Sequence, residues 1–181
     1  MLDYEFFYII STPIYIFFLI VFIWKKIKVE KIILTSIFYF YIISLLTVTI
    51  FPIPIQGLNE VGIYAGDNNN YIPFLSILDI LINDNLGTII KIKQIVGNIV
   101  LFLPMGFFIP LIWKSKDYFK KALLIGLGFS FCIELLQYII SLILGFNYKV
   151  TDIDDILLNT LGFIIGFFLY KLFQKSLENK N

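Results

Sequence analysis

Glu134 is a carboxylic acid inside an apolar run from Ala122 to Phe146, and Gln137 follows it by about one helical turn. Placing a charge in hydrocarbon costs at least ~2.5 kcal/mol on insertion scales, so such an acid marks a functional site unless a simpler role accounts for it. At helical spacing, Gly126, Ser130, Glu134, Gln137 and Ser141 fall on one face, separated by four, four, three and four residues. Lipid cannot satisfy a polar stripe, which must therefore face other helices or a wet cavity. A carboxylate so placed can serve as a general acid or base, as a proton carrier, or as a hydrogen-bonded tie between helices.

A second polar group follows in Asp152, Asp154 and Asp155, with Asn159 one turn beyond and Gly162 and Gly166 continuing that face. Acidic residues at a helix start cap free amides and favour the helix dipole, which accounts for one or two of the three aspartates. Gly162 and Gly166 form a small-xxx-small pair that admits another helix closely. Asn98 precedes Pro104, Gly106 and Pro110, and an intramembrane proline removes a backbone hydrogen bond and bends or opens its helix.

These residues need membrane helices to position them. Of 181 residues, 59% are hydrophobic, 18% aromatic and 15% charged, and the mean hydropathy of +0.90 is that of an integral membrane protein. Five runs match the ~30 Å hydrocarbon thickness: about Tyr4 to Trp24, Ile32 to Ile53, Ile95 to Trp113, Ala122 to Phe146, and Ile156 to Phe173. Asp3 and Glu5 flank the first, and no small-residue cleavage site follows it, so it reads as a retained span.

Lysines follow the first span (Lys25, Lys26, Lys28, Lys31), separate the third and fourth (Lys114, Lys116, Lys120, Lys121), and follow the fifth (Lys171, Lys175, Lys180). The positive-inside rule places these sites in the cytoplasm, with the N-terminus outside and Trp24, Trp113 and Tyr170 as interfacial anchors. Lys91, Lys93 and Lys149 then lie outside. On that side, the run Asp67-Asn68-Asn69-Asn70 reads as a solvated turn. Beyond it, Phe74, Leu75, Ile77, Leu78, Leu81 and Ile82 share one helical face, which predicts a short interfacial or re-entrant helix. The expected architecture is an all-α polytopic bundle of about five spans plus this helix, in one domain over residues 1–181.

Several functional classes lack their residues. There is no histidine, which removes Ser-His-Asp and Cys-His chemistry. The lone Cys132 cannot form an internal disulfide and is expected to pack. A net charge of +1 without a basic face gives nucleic acid no electrostatic footing. Asn98, Glu134, Gln137, the three aspartates and Asn159 all fall in the outer half of the membrane or just above it, which predicts an acidic, amide-rich pocket open to the outside.

The sequence resembles the VanZ-like family of bacterial membrane proteins. The resemblance is carried by Asn98-Ile99-Val100-Leu101-Phe102-Leu103-Pro104-Met105-Gly106-Phe107-Phe108-Ile109-Pro110, by Glu134-Leu135-Leu136-Gln137, and by Asp152-Ile153-Asp154-Asp155 running on through Asn159 to Gly162 and Gly166. Asn70-Tyr71-Ile72-Pro73-Phe74 and Phe51-Pro52 resemble further family positions. The family typically has an arginine shortly before the aspartates; Lys149 stands there and lacks the planar fork for bidentate contacts.

The resemblance implies tolerance of teicoplanin-type lipoglycopeptides. The leading expectation is a non-enzymatic envelope protein that uses Asn98, Glu134, Gln137, Lys149, Asp152, Asp154, Asp155 and Asn159 to bind a membrane lipid, a lipid-linked wall precursor or the drug, with no resident cofactor. The alternative is an intramembrane enzyme with Glu134 as acid or base and Asp154 and Asp155 holding a divalent cation. A third class, a proton-coupled lipid transporter, would use Glu134 as carrier.

Overall fold

A computed structural model describes residues 4–54, 69–83, 87–113 and 118–178. Six helices and no strand occur among the described residues, and five of the helices are long and apolar enough to cross a membrane. The chain folds as two compact units, residues 1–63 and 64–181.

The first unit is a hairpin of α1 (Tyr4–Trp24) and α2 (Val29–Ile50). With apolar side chains equally at home in lipid, such a pair depends on packing and interhelical hydrogen bonds. The Tyr15 hydroxyl donates to Ser36 Oγ at 2.8 Å, and the Tyr39 hydroxyl donates to the Ser11 carbonyl at 2.6 Å. The rings of Tyr15 and Tyr39 stack with centroids 5.1 Å apart.

The second unit contains α3 (Leu75–Ile82), α4 (Thr88–Ile112), α5 (Tyr118–Leu144) and α6 (Ile153–Glu178). Both α4 and α6 begin earlier than the apolar runs, because the polar residues at their starts continue the helix past the hydrophobic stretch. The anticipated small-residue contact joins α6 to α4. A Cβ on Gly162 would lie 2.0 Å from the Ile99 carbonyl oxygen, and one on Gly166 would lie 2.0 Å from that of Leu103. Gly106 answers from α4, its missing Cβ leaving room for the Phe163 carbonyl. Phe163 itself is fully buried, with its ring against Gly126 of α5. Pro104 and Pro110 both lie within α4, which continues through them.

Several details differ from the sequence reading. Tyr170, expected as an interfacial anchor, is buried, with its ring edge-on to Phe107, because it lies on the packed face of α6. Cys132, expected to pack, is exposed, being two residues off the polar stripe of α5. Asn70, expected in a solvated turn, is buried; Asp67 and Asn68 lie outside the described residues.

Candidate functional site

The five stripe positions of α5, Gly126, Ser130, Glu134, Gln137 and Ser141, are all buried, as a polar face in hydrocarbon must be. Ser130 Oγ accepts a hydrogen bond from Asn159 Nδ2 of α6 at 2.8 Å, tying the two polar faces together. Helix α5 then ends at Gly145, whose φ of +77° is the left-handed conformation that closes a helix. Its amide donates back to the Ser141 carbonyl at 3.0 Å. The short segment beyond this turn delivers the chain to the aspartates.

Each aspartate has a different partner. Asp152 is the N-cap of α6, its Oδ1 accepting the Asp154 amide at 2.8 Å. Its own amide donates to Glu134 Oε2 at 2.9 Å, so the intramembrane acid holds the start of α6. Asp154 is 1% exposed and points instead at the beginning of α3. It accepts the Phe74 and Ile77 amides at 2.5 and 3.1 Å, capping a helix about eighty residues away in sequence. Asp155, one position on, accepts a short hydrogen bond from Asn98 Nδ2 of α4.

Asn70 completes the cluster and escaped the sequence reading as a site residue. Its backbone pairs with the acidic turn, its amide donating to the Thr151 carbonyl at 2.9 Å and its carbonyl accepting from the Ile153 amide at 3.0 Å. Its Nδ2 donates to Asp152 Oδ1 at 2.7 Å. The only sequence signal for this role is Asn70's place in the family-like Asn70 to Phe74 stretch.

Among the described cavities, Asn98, Asp152, Asp154 and Asp155 line one and Glu134 lines another. A polar cavity of about 320 Å³ is lined by Asn98 and Gln94 of α4, Asp152, Asp154, Asp155 and Ser76, with Ile77 and Ile80 of α3 along one wall. Glu134 lines a second cavity, of about 390 Å³, with mostly apolar walls from α5 and α6 and with Tyr71 and Thr151 completing them. The acidic turn separates them because Asp152 turns its amide toward Glu134 and its side chain toward the first cavity. Gln137, Lys149 and Asn159 line neither of these cavities. On α3, Ser76, Ile77 and Ile80 face the polar cavity, while Leu75, Leu78, Leu81 and Ile82 are exposed.

Tyr148 and Lys149 lie in the loop between α5 and α6. Burial, with the Glu134 charge adding to it, pushes the Tyr148 phenol up to about 12. Burial lowers the Lys149 ammonium, and the nearby Glu134 opposes that shift. Among the described residues, no three acidic, cysteine or histidine side chains are placed to hold a metal ion. Asp154 in particular has both carboxylate oxygens turned to N–H donors of α3 and Asn70.

A family model described as VanZ/LLP1 matches residues 38–174. The chain is also 29% identical over 89 residues to "Protein VanZ" of Enterococcus faecium, a match covering 49% of this chain and half of that relative. No solved structure matches the chain. The family model runs from the middle of α2 through the α4 proline segment, the polar stripe of α5 and the acidic start of α6, and the chain belongs to the VanZ/LLP1 family.

Proposed function

We propose that this protein acts in a bacterial cell envelope, where it lowers sensitivity to teicoplanin-type lipoglycopeptides by holding an amphiphile at the polar cavity beside α3. The amphiphile is a lipid-linked wall precursor or the drug itself, and the cavity faces the outside. The single observation that supports this reading is the meeting of Asn98, Asp152 and Asp155 in a cavity at the end of the membrane helices, beside a helix whose outer face is apolar. Carboxylates and amides in that setting recognise the hydroxyl and amide groups of a head group, while the surrounding hydrocarbon holds its chain. The cation-dependent enzyme has less support, since Asp154 caps α3 and the remaining acids are divided between two cavities.

The test is expression in a glycopeptide-sensitive strain, with membrane insertion verified by immunoblot. Wild-type protein is expected to raise the inhibitory concentration of teicoplanin, and Asp155→Asn and Asn98→Ala to abolish the increase at equal abundance. An unchanged inhibitory concentration with inserted wild-type protein overturns the proposal.

A further inference from the structure

The cavity containing Glu134 has a different character from the polar one. Phe131 and Leu135 of α5 form part of its wall, and they are 56% and 42% exposed on a helix that crosses the membrane, so the opening meets lipid. Ile153 and Ile156 of α6 continue the apolar lining. Behind them lies Glu134, only 4% exposed, and beside it Thr151, whose Oγ1 is buried without a hydrogen-bond partner. A carboxylate has about four acceptor positions, and the bond from the Asp152 amide occupies one of them. Lipid tails alone entering this cavity would leave the remaining polar groups unsatisfied in hydrocarbon, at several kcal/mol for each such group.

The surroundings also set the sign of the preferred ligand. The ionisable groups around Glu134 are Asp155, Asp152 and Lys149, three acids and one base with Glu134 itself, and a bound cation is what favours the ionised carboxylate in so buried a place. A head group that both donates hydrogen bonds and carries positive charge complements it, and a primary ammonium does both.

We propose that this cavity is a lateral lipid site that takes the primary-ammonium head of a bilayer phospholipid, with the ammonium donating to Glu134 and the acyl chains passing out over Phe131 and Leu135. The site is separate from the polar cavity and requires no role in antibiotic tolerance. It assigns Glu134 to lipid recognition within the plane of the membrane. In such a site the acid keeps one oxygen on the start of α6 and offers the other to the head group, so an occupied cavity also steadies the acidic turn.

The experiment uses the full-length protein in detergent, mixed with equal amounts of phosphatidylethanolamine, phosphatidylcholine and phosphatidylglycerol of identical acyl chains, with bound lipid counted by native mass spectrometry. Phosphatidylethanolamine is expected to be retained about tenfold over phosphatidylcholine, whose quaternary head lacks donors, and over phosphatidylglycerol, which has donors but no cation, a ratio that corresponds to about 1.4 kcal/mol. Glu134→Gln is expected to bring the three lipids within about twofold of one another, the residual expected of a site without its charge. Leu135→Trp fills the cavity from its exposed rim without entering the helix core, and is expected to reduce total phosphatidylethanolamine retention. Equal retention of all three lipids by wild-type protein overturns the proposal, as does a preference for phosphatidylglycerol. A folded Leu135→Trp protein with full, selective phosphatidylethanolamine binding also overturns it.

Discussion

Asp154 and Asp155 are adjacent acids with different tasks, and the difference comes from where their side chains point. Asp154 is fully enclosed and accepts the Phe74 and Ile77 amides at the start of α3, so its removal leaves two partly buried N–H groups without that acceptor. Hydrogen bonds to a charged group contribute ~1.5–3 kcal/mol each, although release of α3 into water would limit the loss. Asp154→Ala is therefore expected to destabilise the protein by about 2 kcal/mol in an SDS-titrated unfolding curve followed by circular dichroism, and to open residues 69–83 to protease. Asp155→Asn, at a partly exposed position lining the cavity, is expected to leave both readouts near wild type. Tyr148 supplies a pH signature. Its phenol is raised to about 12, above its ordinary 10.0, so the folded state favours the protonated form. That contribution is complete below pH 10 and is lost as pH rises through 12. Ultraviolet titration of tyrosinate is expected to show a late-ionising phenol that is lost in Tyr148→Phe, with stability falling across the same interval.

Helices α4 and α6 touch backbone to backbone, and this contact supports the site. Because the atoms that a new Cβ would meet at Gly162 and Gly166 are carbonyl oxygens, no side-chain rotation can make room. Gly162→Ala and Gly166→Ala must push the helices apart, and each is expected to cost ~1–3 kcal/mol, the range for overpacking a tight interior. Gly128 has nothing within 4 Å of its missing Cβ, so Gly128→Ala is expected to be neutral or slightly stabilising. Thermal melting of the three purified variants checks the contrast. Separation of α4 from α6 also stretches the bond from Asn98 to Asp155, so the two glycine variants are expected to lose the polar cavity along with stability. Helix α3 depends on this arrangement, since its first amides are capped by an α6 side chain.

Within the second unit, the hydrogen bonds place the N-terminal half of α4, the C-terminal half of α5 and the start of α6 together, as successive antiparallel spans require. Lys120 and Lys121 at the start of α5 and Lys171 and Lys175 near the end of α6 are then at the opposite end from the acids. The positive-inside rule predicts that this opposite end is cytoplasmic. Green fluorescent protein fused after Asn181 is expected to fluoresce and alkaline phosphatase there to be inactive, with the reverse for fusions after Asn83; the opposite pattern overturns the outward-facing site. Membrane class, five spans, the buried stripe of α5 and the glycine contact of α6 were legible from composition and 3.6-residue periodicity, because lipid forces polar and small residues inward. Periodicity also allowed capping as a role for some of the aspartates, but could not say which helix each would cap. Two acids one position apart point about 100° apart on a helix, and whether each meets an amide, an asparagine or open space depends on segments far away in the chain. Asn70 and the amides of α3 arrive at the acidic turn from some eighty residues upstream, and that long-range meeting divides one expected hollow into a polar cavity and a separate one containing Glu134.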